Sequence, residues 1–103
     1  MSGDQLPPLL DDLDLYFDLS GPHALVPVTM LQPLKDPTSQ PESVDNAEAL
    51  MRQAARGEIE KRGPLCVKPL QGAKFQVLDG NATYGVAARS GFALLPVIVC
   101  DHS

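Results

Sequence analysis

The sequence has little of what several common functional sites require. Its 103 residues include no tryptophan, two histidines and two cysteines. His23, His102, Cys66 and Cys100 do not have the spacing of a zinc site. The sequence also contains no Walker-type phosphate loop, no internal repeat and no readable serine–histidine–acid arrangement. These absences exclude the most familiar metal-binding and nucleophile motifs.

Long apolar runs are also absent. No stretch is long enough to span a membrane, and the N-terminus lacks the basic start and apolar core of a secretory signal. We therefore expect a cytoplasmic protein with no membrane partner. Under this intracellular interpretation, Cys66 and Cys100 are predicted to be reduced, buried and effectively small apolar residues, with a disulfide as the alternative.

Basic residues are outnumbered, with 8 Lys and Arg against 13 Asp and Glu, for a net charge of −5 and a pI near 4.7. This balance argues against a broad electrostatic surface for nucleic acid. The imbalance is local, because five aspartates lie in the first twenty residues: Asp4, Asp11, Asp12, Asp14 and Asp18. The remainder is close to neutral, so a small basic patch is compatible with the sequence.

Residues 1–23 are interpreted as an acidic N-terminal segment and residues 24–103 as the domain proper. In the first segment, Pro7 and Pro8 precede apolar residues spaced as in a short amphipathic helix: Leu9, Leu10, Leu13, Tyr16 and Phe17. Two interpretations remain open. The apolar stripe packs onto the domain, or it docks into the groove of a protein partner.

The middle of the chain reads as strand, loop, helix and strand. A strand is expected over 24–29, with Pro27 indicating an edge or a bulge, and a proline-rich loop over 32–41. A second strand is expected over 65–70, followed by a hairpin turn over 71–73.

The clearest helix follows the proline-rich loop. Ser43 or Asp45 is predicted to cap it and Gly57 to end it, with residues 58–62 adding one further turn. Its predicted core stripe is Ala47, Leu50, Met51, Ala54 and Ala55.

Residues 75–99 form the most informative stretch. Phe75 and Val77 alternate with polar neighbours, as in a half-buried strand. A turn follows at 79–81, and then a helix from Ala82 that ends at Gly91, with Tyr84, Ala87 and Ala88 at helical spacing. The apolar run over 94–100 predicts a strand buried on both faces.

The turn is the candidate site, because a helix that starts after glycine presents unpaired N–H groups and a positive dipole to an anion. Asp79 could hold a metal ion or act as a base, Asn81 could orient a ligand, and the Thr83 hydroxyl could donate to an oxygen. The alternative is structural: Asp79 or Asn81 caps the helix, which is worth about 1 kcal/mol.

The run from Val77 to Ala88, followed by Gly91 and by Leu95–Val99, resembles the ParB/sulfiredoxin-like family. Leu25–Pro33 is similar to that family's opening strand, and Pro64–Pro69 to its strand before the hairpin. The resemblance spans residues 25–99. It implies an α+β fold in which a mixed sheet of about four strands packs against two to three helices.

The resemblance also implies a site. Gly80, Asn81, Ala82 and Thr83 would bind phosphate, with Asp79 as the catalytic residue or metal ligand. Lys61, Arg62 and Lys68 are auxiliary candidates, since charged residues near 58–62 approach the phosphate in relatives. The implied ligand is a nucleotide such as ATP or CTP with Mg²⁺, or a phosphodiester of nucleic acid.

The chain departs from this family at the turn. Many relatives have His-Arg where this chain has Ala82 and Thr83, so a guanidinium and an imidazole are missing. Sulfiredoxins have a cysteine in this turn, whereas Cys66 and Cys100 lie elsewhere, so sulfiredoxin activity is not expected.

Three functions follow from the resemblance and its departures. The first is nucleotide or phosphodiester binding, with a hydrolase or nuclease-like activity if the protein is an enzyme. The second is a non-catalytic effector or interaction module of a plasmid, phage or toxin system. The third is a domain detached from a larger protein.

Overall fold

The computed structural model describes residues 9–34 and 39–100, which form an α+β fold with a five-stranded mixed sheet. Its regular elements, in chain order, are α1 (Leu13–Tyr16), β1 (Ala24–Pro27), β2 (Leu31–Gln32), α2 (Pro41–Ala55), β3 (Leu65–Pro69), β4 (Phe75–Asp79), α3 (Asn81–Ser90) and β5 (Leu94–Val99). The predicted fold class is confirmed. The sheet has five strands instead of four because the short β2 pairs with β4.

The strands are ordered β1-β5-β3-β4-β2, and the pairing is parallel between β3 and β5 and between β2 and β4. Leu65 lies opposite Val97, and Val67 lies opposite Val77. All four side chains are buried and belong to one apolar core that also contains Met51 of α2. β1 lies at the edge of the sheet, as the proline at its end predicts.

α2 begins earlier than expected. Its first residue is Pro41, with Gln40 at the N-cap, so the prediction that Ser43 or Asp45 caps it is wrong. Proline is favoured at the first helical position because its fixed φ is already helical and its missing N–H would have no partner there. Gly57, with φ +78°, follows the last turn as predicted.

The buried stripe of α2 is also shifted toward its start. Val44, Ala47, Met51 and Ala54 are buried, whereas Leu50 is 41% exposed. No further helical turn forms over 58–62, because this segment leaves the helix to pair with the N-terminal segment. The loop predicted over 32–41 lies partly outside the described residues.

The N-terminal segment packs onto the domain from Leu9 onward. Tyr16 and Phe17 are 2% and 1% exposed, and the Tyr16 ring stacks on Phe92 with centroids 5.9 Å apart. Only four residues are helical, and Leu10 is 67% exposed. Pro7 and Pro8 lie outside the described residues. The packing interpretation of the stripe is therefore the one that the structure supports.

The burial of α3 and β5 agrees only in part with the prediction. Ala88 is exposed, while Thr83 and Val86 are buried, because α3 packs against α2 as well as against the sheet. In β5, Leu95 to Val97 are buried, but Val99 is 58% exposed, so the strand is not covered along its whole length.

Ion pairs join α2 to α3. The Arg89 guanidinium lies 2.9 Å from the Asp45 carboxylate and 3.0 Å from that of Glu48, which also pairs with Arg52 at 3.2 Å. Partial desolvation opposes the charge on Arg89, but the hydrogen bonds to the two carboxylates raise the pKa of Arg89 overall. These contacts link the last turn of α3 to α2.

Cys66 and Cys100 form a disulfide, with Cα atoms 5.5 Å apart, so the prediction that they are reduced is wrong. The parallel register places Cys66 opposite Ile98, and the Cys100 N–H continues the ladder by donating to the Val67 carbonyl at 2.9 Å. Residues 34 apart in sequence thus become neighbours through strand pairing. Within the described residues, no helix is long and apolar enough to cross a membrane.

Removal of the disulfide should destabilise the fold. Because it closes a loop of 34 residues, replacing both cysteines by serine should lower the free energy of unfolding by roughly 2–4 kcal/mol. Denaturant unfolding of the oxidised protein and of the double variant measures this difference. A reductant should destabilise the native protein and leave the variant unchanged; equal stability of the two proteins would contradict a native disulfide.

Candidate functional site

The turn between β4 and α3 is built around Gly80. This residue takes the N-cap position of α3 with φ +102°, and within the described chain no side chain caps the helix. The prediction that Asp79 or Asn81 caps α3 is therefore wrong. Asn81 is already the first helical residue, and its Oδ1 accepts a hydrogen bond from the Leu34 N–H at 2.7 Å.

The first turn of α3 therefore has N–H groups that no side-chain cap satisfies in the described part of the chain. The first hydrogen bond of the helix runs from the Tyr84 N–H to the Gly80 carbonyl at 2.9 Å. The N–H groups of Asn81, Ala82 and Thr83 precede it, at the positive end of the helix dipole. The sequence predicts an anion site at this helix start, and the binding of an anion there stays a prediction.

Glycine is required at position 80 for two reasons. Its φ of +102° is strained for any residue with a side chain. A Cβ at this position would also lie 2.8 Å from Cγ of Leu65. The start of α3 therefore rests directly on β3, and this close approach leaves no room for a methyl group.

A cleft of about 410 Å³ opens where α3 meets the segment before β3. Its lining residues come from these two places: Arg62, Gly63, Pro64, Leu65, Asp79, Gly80 and Thr83. Thr83 is 2% exposed, whereas Asp79 is an exposed residue at the end of β4. The cleft thus joins the helix start to one hydroxyl, one carboxylate and one arginine.

Arg62 is held in place through its backbone. Its N–H donates to the Tyr16 carbonyl at 2.9 Å, and its carbonyl accepts from the Asp18 N–H at 2.7 Å. The residue is half-buried, and no carboxylate in the described part of the chain forms an ion pair with its side chain. An unpaired guanidinium is a strong donor for phosphate oxygens.

The other candidates from the sequence lie outside this cleft. Lys61 is exposed and does not line the cleft. Lys68 of β3 does not line it either and lies opposite Gln76 of β4. Asn81 and Ala82 are half-buried and do not line the cleft either, and the Asn81 side chain is occupied by its contact with Leu34. The contribution of residues 16–18 was not predicted, because pairing between two distant short segments leaves no local pattern in the sequence.

Asp79, the candidate metal ligand from the sequence, is the carboxylate that lines the cleft. Among residues 9–34 and 39–100, no three His, Cys, Asp or Glu side chains cluster as a metal site. A divalent ion at Asp79 would therefore need most of its oxygen ligands from water and from a bound phosphate, as Mg²⁺ commonly does.

No family model matches the chain, and no curated protein matches it at a significant level. Among solved structures, it is similar to the C-terminally truncated chromosome-partitioning protein ParB from Caulobacter crescentus, which was crystallised with CTP-γ-S. The TM-score is 0.52 at 20% identity, and the match covers 81% of this chain and 46% of ParB. The similarity shows a ParB-like fold, and this chain spans less than half of the protein it matches.

Substitution of Gly80 by alanine should disrupt the turn more than the same change at Gly72. Both glycines have positive φ, so both variants bear the left-handed strain of about 1–2 kcal/mol, but Gly72 has open space where a Cβ would be. The clash with Leu65 should cost Gly80→Ala about 1–3 kcal/mol more. Denaturant unfolding compares the two variants; equal losses would show that α3 does not rest closely on β3.

Proposed function

We propose that this protein binds the phosphate groups of a nucleotide at the cleft between α3 and Arg62. The observation that carries the proposal is that Gly80 and Thr83, at the start of α3, line one cleft together with Arg62. The amides and hydroxyl donate to phosphate oxygens, and the guanidinium neutralises their charge. Gly80 allows a ligand to approach the backbone closely.

Arg62 supplies the cation that the turn itself lacks. The sequence has Ala82 and Thr83 where many members of the family that it resembles have His-Arg. In this fold, an arginine of the segment before β3, Arg62, lines the cleft. The departure in the turn is therefore compatible with phosphate binding, because another element provides the positive charge.

A nucleotide suits the site better than a nucleic acid. The cleft volume of about 410 Å³ lies within the usual 300–1,000 Å³ range of small-molecule pockets. The chain has a net charge of −5, which disfavours the many phosphate contacts of a duplex. The CTP analogue bound to ParB supports a nucleoside triphosphate as the first ligand to test.

The alternative of a protein-interaction module has less support. Its sequence basis is the missing His-Arg pair and the acidic balance, with the N-terminal apolar stripe as the surface for a protein partner. Tyr16 and Phe17 of that stripe are instead buried in the protein's own core. Binding through these side chains would require the segment to detach, with loss of the Tyr16–Phe92 contact.

Arg62→Gln should weaken triphosphate binding selectively. Loss of a charge-assisted contact of about 1.5–3 kcal/mol corresponds to a roughly ten- to hundredfold rise in Kd. Lys74→Gln removes the same charge at an exposed residue outside the cleft and is the matched control.

Calorimetric titration with CTP, CTP-γ-S, ATP and a short DNA duplex measures these affinities at fixed ionic strength. We expect the native protein and Lys74→Gln to bind triphosphate with similar Kd, and Arg62→Gln to bind it with a higher Kd. No binding of any triphosphate to the native protein, or equal losses for both variants, would rule out the proposed site.

Asp79→Asn separates metal binding from phosphate binding. Without Mg²⁺, the change removes a negative charge beside the cleft, so triphosphate affinity should rise or stay equal. With Mg²⁺, the native protein should gain affinity and the variant should not, because the Asp79 carboxylate would be the protein ligand of the ion.

The same titrations, with and without Mg²⁺, measure these affinities. A separate assay of phosphate release tests for hydrolysis, in which Asp79 would act as metal ligand or base. Glu58→Gln, at an exposed acidic residue outside the cleft, controls for net charge. An identical gain from Mg²⁺ in native protein and Asp79→Asn would exclude Asp79 from the metal site.

A further inference from the structure

We infer that residues 16–18 form a clasp whose function is to position Arg62 for phosphate binding. This inference rests on the proposed function of the cleft and assigns a positioning role to the acidic N-terminal segment. The clasp is the backbone pairing in which Phe17 lies beside Arg62 in parallel orientation. It joins parts of the chain more than forty residues apart.

The clasp is anchored firmly on the N-terminal side. Phe17 is 1% exposed, and the Tyr16 ring stacks on Phe92 at 5.9 Å. Further upstream, the Asp11 carboxylate accepts a hydrogen bond from the Ala93 N–H at 3.2 Å. Because the anchors are buried in the core or tied to the loop before β5, the carbonyl of residue 16 and the N–H of residue 18 have fixed positions.

The segment that carries Arg62 has few other constraints. It connects α2 to β3, and Lys61 and Gly63 on either side of Arg62 are exposed. Within the described chain, the backbone hydrogen bonds of residues 59–64 are the two that Arg62 makes with Tyr16 and Asp18, at 2.9 and 2.7 Å. Without them, Arg62 would share the freedom of a connecting loop.

The backbone of Asp18, and not its charge, makes the contact. Its carboxylate accepts from the Ser20 hydroxyl at 2.6 Å and from the Ser20 N–H at 3.0 Å. These hydrogen bonds hold the pKa of Asp18 below its ordinary value. The side chain is therefore engaged with its own turn, which allows the backbone and side-chain roles to be separated by substitution.

Asp18→Pro removes the N–H that donates to the Arg62 carbonyl. Phe17 has φ −119° and ψ 143°, which a residue before proline adopts without strain. Asp18→Asn keeps the N–H and an oxygen acceptor for Ser20 and removes only the charge, so it is the matched control. Both changes lie at an exposed residue outside the core.

We expect Asp18→Pro to raise the Kd for CTP about tenfold, in keeping with the loss of one well-placed charged contact, and Asp18→Asn to change it less than twofold. The Arg62 Nε–Hε resonance should shift on addition of CTP in the native protein and in Asp18→Asn, but not in Asp18→Pro. The amides of residues 81–83 should still shift in Asp18→Pro, which a general loss of structure would not allow.

Unchanged CTP affinity in folded Asp18→Pro would overturn the clasp and leave the cleft intact as a site. Absence of any CTP response in the native protein would overturn both. If Asp18→Pro does not fold, Phe17→Leu keeps the N–H groups and loosens the anchor. Its Arg62 resonance should then respond more weakly than the amides, and an equal response of both would contradict the inference.

Discussion

The contact between Gly80 and Leu65 is the constraint on which the site depends. A helix can begin this close to a strand only where its N-cap residue has no side chain, since a Cβ at position 80 would lie 2.8 Å from Leu65 Cγ. The contact brings the first turn of α3 to the amino end of β3. Arg62, in the segment before β3, therefore lines the same cleft as Gly80 and Thr83.

The features that followed from sequence are those set by neighbouring residues. The alternation before Asp79, the glycine turn and the helix that ends at Gly91 lie in one stretch, and each has a local cause in backbone freedom or periodicity. These elements, together with the family resemblance that they carry, were enough to predict an α+β fold. It was also enough to place the candidate anion site at the start of α3.

Other features depend on which strands become neighbours. The pairing of β3 with β5 brings Cys66 to Cys100, and the pairing of Phe17 with Arg62 joins the N-terminal segment to the cleft. The side chain of Asn81 suits a helix cap, yet it binds the Leu34 N–H instead. No local pattern encodes these contacts, because each depends on the position of a distant segment.

The central claim is that the first turn of α3 and Arg62 bind phosphate together. The most direct measurement is a pair of amide and arginine NMR spectra of the full chain, recorded with and without CTP-γ-S and Mg²⁺. The account predicts shifts concentrated at the amides of residues 80–83 and at Arg62 Nε. Saturable binding with shifts elsewhere and none at these groups would contradict it.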